Sequence, residues 1–255
     1  MNYFFFSNKD NIFCRLEIPK FQNRGKLDSN LLLFCASIED NMWIINAIDC
    51  EEDANFFYVE ANKDNLNSIY FLATLLEVGA KNIAVERLIS YNNFSSTTPD
   101  YRANLCVSNL AGGFSSYQSD YPFNMTLRRG SLMSSISTLG NRDAMVNTVF
   151  IRNIFCEPIN EEYSAYLVCK KDKVVKKSYV LRCNETSNIN LRAEDFNPNH
   201  YIVTNGFLGV PIYLSESKEG HLSFEHTHPP HSNTDGPNRF ANVARLKNEL
   251  LEIIG

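Results

Sequence analysis

The chain holds one tryptophan in 255 residues, no Cys-x-x-Cys pair, and no apolar run approaching the roughly 20 residues a membrane-spanning helix needs. Each absence removes a class. Without the run, membrane insertion through a helix is excluded. With Trp43 alone, stacking of sugars on exposed indoles has little material. Positive charge is also short: 24 Lys and Arg against 29 Asp and Glu give a net charge of −5, which excludes nucleic-acid binding through bulk charge. The start, Met1-Asn2-Tyr3-Phe4-Phe5-Phe6, has no basic lead-in and no long apolar core, so it does not read as a secretory signal. Seven cysteines, an odd and scattered set, then read as reduced core residues in a cytoplasmic protein. No G-x-S-x-G elbow, Walker loop or dinucleotide fingerprint is present.

What is present is strand after short strand. Asn11–Ile18, Leu31–Glu39, Met42–Ile48 and Phe56–Ala61 are rich in branched and aromatic residues and are separated by Asn, Asp, Gly and Ser. In the second half, Tyr163–Cys169 and Val174–Arg182 flank a charged turn, Lys170-Lys171-Asp172-Lys173. Thr186–Leu191, His200–Thr204, Val210–Ser215 and His221–Thr227 follow at sandwich spacing. Two segments read as helical. One spans 65–78, with Asp64 as cap, Leu66, Ile69, Ala73 and Leu76 on one face and Gly79 as stop; a strand through Ile69-Tyr70-Phe71-Leu72 competes with it. The other spans 237–254, where Phe240, Val243, Leu246, Leu250 and Ile254 make an apolar stripe.

A pattern repeats 96 residues apart. Val107-Ser108-Asn109, Gly113, Tyr117, Ser119 and Asp120 recur with identical spacing as Val203-Thr204-Asn205, Gly209, Tyr213, Ser215 and Glu216. Each copy reads as a closing hairpin of a module of about 100 residues. The expected fold is therefore mainly β: two tandem antiparallel β-sandwich-like modules, 1–142 and 143–255, with a C-terminal amphipathic helix packed on the second.

Chemistry concentrates at one place. All five histidines fall in the last 56 residues, four of them between His221 and His231. On an extended strand His226 and His228 share a face, a bidentate start for a divalent transition metal, with His231 and His200 to complete the shell. Three histidines with an open position suit zinc; added carboxylates suit iron or manganese. Gly220-x5-His226-x-His228 resembles the opening half of the first cupin motif over nine residues. That family continues to a glutamate ligand, whereas Pro229-Pro230-His231-Ser232-Asn233 follows here, so the family is not assigned. Glu225 is the candidate general base if the metal activates water.

A second segment, Gly112 to Ser131, mixes hydroxyls, aromatics and an arginine pair. Ser115, Ser116, Tyr117, Gln118, Arg128 and Arg129 are its candidate ligand-binding residues, suited to a polar small molecule or sugar. The expected function is a β-rich protein with a His-based divalent metal site. The alternatives are a non-catalytic carbohydrate- or protein-binding module and a metal-dependent enzyme acting on a small polar substrate.

Overall fold

A computed structural model of the chain describes residues 1–7, 9–22, 26–27, 30–91, 102–137, 140–226 and 236–255. The chain divides into two compact units: unit 1 comprises Met1–Arg128 with Ile154–Asn160, and unit 2 comprises Arg129–Asn153 with Glu161–Gly255.

In unit 1 the strands are β1 (Asn2–Phe5), β2 (Ile12–Pro19), β3 (Phe21–Gln22), β4 (Lys26–Leu27), β5 (Leu31–Glu39), β6 (Met42–Ala47), β7 (Glu51–Glu52), β8 (Phe56–Glu60), β9 (Ile69–Thr74), β10 (Asn82–Val85), β11 (Asn104–Asn109), β12 (Phe114–Gln118) and β13 (Asp120–Pro122). They form a six-stranded sheet, β10-β6-β5-β9-β1-β13, a five-stranded sheet, β12-β11-β2-β8-β7, and the small ribbon β3-β4. Two one-turn helices interrupt them, α1 (Leu75–Val78) and α2 (Phe123–Thr126).

Unit 2 holds β14 (Arg129–Gly130), β15 (Met133–Ser135), β16 (Val146–Arg152), β17 (Glu162–Cys169), β18 (Val174–Arg182), β19 (Thr186–Leu191), β20 (His200–Phe207), β21 (Val210–Glu216), β22 (Leu222–His226) and the helix α3 (Arg239–Ile254). One sheet runs β14-β20-β17-β18 with β15 also on β20; the other runs β19-β16-β21-β22. The fold is thus mainly β with a C-terminal helix, as expected. Among the described residues its strands are distributed over four sheets and the ribbon β3-β4 in place of two sandwiches.

The two units repeat one pairing scheme. In unit 1, β1 lies between β9 and β13, and β2 between β8 and β11; in unit 2, β16 lies between β19 and β21, and β17 between β18 and β20. These strands also follow the same chain order, and all the pairs are antiparallel. The units differ in what is inserted. Unit 1 places β3 to β7 between β2 and β8, where unit 2 has only the Lys170–Lys173 turn.

Three expectations are corrected. The middle of the segment 65–78 is strand: β9 is hydrogen-bonded on both sides, to β5 and β1, and its residues are buried on both faces. A strand covered on two faces is apolar throughout, and such a run also satisfies helical spacing. The helix starts later, where Thr74 and Glu77 form a capping box, and stops at Gly79 with φ 90°.

The second correction concerns the repeat. Its first copy is a hairpin, β11 on β12, closed by the Asn109 side chain accepting from the Gly113 N–H at 2.9 Å. Its second copy is not. Strands β20 and β21 belong to different sheets, and the chain crosses between them at Gly206 (φ 117°) through Gly209. A β-carbon on Gly209 would lie 3.0 Å from Ile151 and 3.1 Å from the Arg152 carbonyl, so a side chain at this crossing would need its neighbours to give by a few tenths of an ångström.

Third, α3 buries less of its stripe than expected. Val243, Leu246, Leu250 and Ile254 pack on Met133, Val168 and Val203, whereas Phe240 is exposed.

Trp43 is buried in unit 1, its indole N–H donating to the Cys156 carbonyl at 3.0 Å. It offers no stacking surface. All seven cysteines are free thiols, and among the described residues no helix is long and apolar enough to cross a membrane.

Candidate functional site

The approach to the histidine cluster is built by local hydrogen bonds. Ser217 turns the chain: its hydroxyl accepts from the Glu219 and His221 N–H groups, its own N–H donates to the His221 carbonyl at 2.9 Å, and Gly220 takes φ 84°. Strand β22 then runs back along β21 as the sheet edge, in a register that sets Leu214 opposite Phe224, Tyr213 opposite Glu225 and Ile212 opposite His226. Phe224 is buried and Glu225 exposed, the alternation of a half-covered strand. The His226 side chain, His228 and His231 lie outside the described residues. Among the described residues no group of three or more His, Cys, Asp and Glu side chains is placed to hold a metal ion.

His200 is held elsewhere. It opens β20, in the other sheet of unit 2, directly opposite Cys169 on β17. Its Nδ1 lies 2.9 Å from the Asp195 backbone carbonyl. A carbonyl oxygen only accepts, so Nδ1 carries the hydrogen; in the uncharged tautomer this leaves Nε2 as the ring's acceptor.

Around His200 a polar cleft of about 490 Å³ opens at the end of this sheet. The 3-10 turn Ala193–Asp195 presents a buried carboxylate. Asp195 Oδ2 accepts from Lys177 Nζ at 2.7 Å and from the Arg192 N–H at 2.9 Å. Asn197 accepts from the Asn199 N–H at 2.9 Å and shapes the rim. On the β17 side, the Cys169 thiol donates to Asp172 at 3.3 Å, and Lys176 lies 3.6 Å from the same carboxylate. That thiol bond, ahead of the neighbouring lysines, holds Asp172 below its ordinary value. Of these residues the sequence analysis singled out only His200. Cys169, Asp172, Lys177 and Asp195 carry no motif; strand register brings them together.

The second candidate segment is divided. Ser115, Ser116, Tyr117 and Gln118 lie on β12, the edge of its sheet in unit 1, where Gln118 accepts a hydrogen bond from Arg102. Arg128 is exposed at the end of unit 1. Arg129 starts unit 2, grips both Glu161 carboxylate oxygens at 2.9 and 2.6 Å and lies 4.5 Å over the Phe207 ring.

Unit 1 contains one further group the sequence did not flag. Asp120, the acidic end of the first repeat copy, is a buried carboxylate with Arg102 Nε 3.9 Å away. Burial pushes its pKa up to about 7, against the opposing pull of Arg102 and the polar groups of Ala103 and Asn2.

A scan of protein-family models, a search of curated proteins and a search of solved structures each returned no match, so the chain's own residues carry every functional argument.

Proposed function

We propose that this β-rich chain binds a divalent transition metal (zinc, iron or manganese) through His226, His228 and His231. The observation that carries the reading is the fixed register of β22. The strand is paired to β21 as far as His226, and that anchored end leads directly into the densest run of imidazoles in the sequence. A ligand set that starts on an ordered strand loses less conformational entropy on binding than one on a free tail. His200 is left out of this set, because it lies in the other sheet and lines its own cleft. Glu225 is exposed on the face opposite Phe224 and therefore, by alternation, opposite His226, so it would serve such a metal as base only if the chain turns beyond His226.

Elemental analysis of the full chain, purified without an affinity tag, tests this. The expected result is near-stoichiometric metal that is lost in the His226→Ala/His228→Ala double variant, with a lower Tm on chelation. Metal-free protein whose Tm ignores both chelator and added metal overturns it.

The second reading is a non-catalytic carbohydrate- or protein-binding module. It is favoured by β12, an edge strand that carries Ser115 to Gln118.

A further inference from the structure

We propose that the cleft beside His200 in unit 2 is a binding site for a small uncharged polyol of monosaccharide size. The site is separate from the histidine cluster and does not depend on metal.

Size and lining set the ligand class. A volume of about 490 Å³ lies within the range of small-molecule sites. Apart from the Cys169 thiol, every side chain that lines it carries a charged group, an amide or an imidazole, so a ligand that enters meets hydrogen-bonding groups on all sides. Charge is balanced: Lys171, Lys176 and Lys177 face Asp172, Glu194 and Asp195. Two of these lysines are already neutralised, Lys177 by Asp195 at 2.7 Å and Lys176 beside Asp172 at 3.6 Å. A charged ligand that displaced Lys177 would leave the buried Asp195 carboxylate uncompensated, which is expensive; Lys171 is the lysine an anion would meet without breaking a pair. A neutral hydroxylated molecule needs only donors and acceptors. The cleft supplies both kinds: the lysine ammoniums, the Asn197 and Asn199 amides, the carboxylates, and His200 Nε2 as an acceptor oriented by the Nδ1–H bond to Asp195.

The shared pairing scheme shows that the fold does not require these residues. His200 stands opposite Cys169 in unit 2; at the matching register of unit 1, set by the 96-residue repeat, Asn104 stands opposite Glu17. The same backbone position tolerates a different pair, so Cys169 and His200 reflect something particular to unit 2.

The test is an amide chemical-shift titration of the full chain with glucose, galactose, mannose and myo-inositol, with glycine betaine and inorganic phosphate as charged probes. At least one polyol should give saturable shifts centred on 169–177 and 193–200. The His200→Asn variant should weaken that binding by about tenfold, since its amide can still donate to the Asp195 carbonyl but lacks an atom at Nε2. Three results would overturn the proposal: no polyol shifting those amides, betaine or phosphate binding there more tightly than any polyol, or His200→Asn binding as the parent does. Mapping on the parent chain decides the matter even if the variant fails to fold.

Discussion

Units 1 and 2 wire six strands in the same way and set different ionisable groups on that frame. In unit 1 the group is Asp120 on β13, whose carboxylate oxygens are buried beside Arg102. In unit 2 ionisable groups cluster at an open strand end around Cys169 and His200, and two charged side chains, Asp195 there and Arg152 on β16, are buried. The scheme therefore fixes backbone pairing and leaves each side-chain position free to become core, rim or site. Even the paired serines differ. Ser119 bonds to the backbone of Phe5, accepting from its N–H at 2.9 Å and donating to its carbonyl, whereas Ser215 donates to the Asn147 side chain at 2.6 Å.

The largest break in this comparison should come from pH. Asp120 is raised in the folded chain, so between its unfolded value near 3.9 and about 7 the native state binds more protons than the unfolded state. Stability of unit 1 must then fall as pH rises through that window, by at most about 4 kcal/mol. The single tryptophan lies in unit 1, so urea unfolding followed by Trp43 fluorescence is read from within this unit. The expected midpoint falls from pH 5 to pH 8 in the parent and stays nearly level in Asp120→Asn. A parent curve that rises over this range would show that Arg102 outweighs burial. Glu216→Gln, at the matching repeat position, should change unit 2 by no more than about 0.5 kcal/mol.

The paired serines come next. Ser119→Ala removes a partner from both the Phe5 N–H and the Phe5 carbonyl in a buried strand, a loss of about 2 kcal/mol. Ser215→Ala costs less, about 1 kcal/mol, because Asn147 still accepts from the Asn141 N–H. Native-state hydrogen exchange at Phe5 and at Asn141 reads each unit separately. Equal losses would mean that the shared motif has the same energetic role in both copies.

Much of this architecture was legible in the sequence, for a physical reason. Leu31–Glu39 and Val174–Arg182 are long enough to show their strand character, and the observed strands have those bounds. Strand β9 was ambiguous because burial on both faces erases alternation. Strands of two or three residues, such as β7 and β14, are too short to carry any period. The repeat was visible, but its second hairpin was not a hairpin. The same Gly that closes a turn in one copy allows a close crossing between sheets in the other, and sequence spacing is identical in both. At the candidate site, histidines announce themselves by crowding. Cys169, Asp195 and His200 do not, since only the register of β17 against β20 and the turn before it bring them together.

The smallest effect should separate two adjacent arginines. Arg128 ends unit 1 as an exposed side chain, whereas Arg129 opens unit 2 bound to Glu161 and laid over Phe207. Half of the Arg129 side chain is exposed, so solvent and salt screen the pair and its contribution is modest. Arg129→Ala should lower Tm by about 2 °C in low salt, and Arg128→Ala by less than about 1 °C. In high salt the gap should shrink without closing, because screening removes the ion pair and leaves the packing over Phe207. Equal Tm values for the two variants in low salt would show that the arginine pair acts as one surface patch. That outcome would return both residues to the ligand-binding role their sequence context suggests. A clear gap instead assigns Arg129 to the structure of unit 2 and leaves Arg128 as the only one of the two free to meet a ligand.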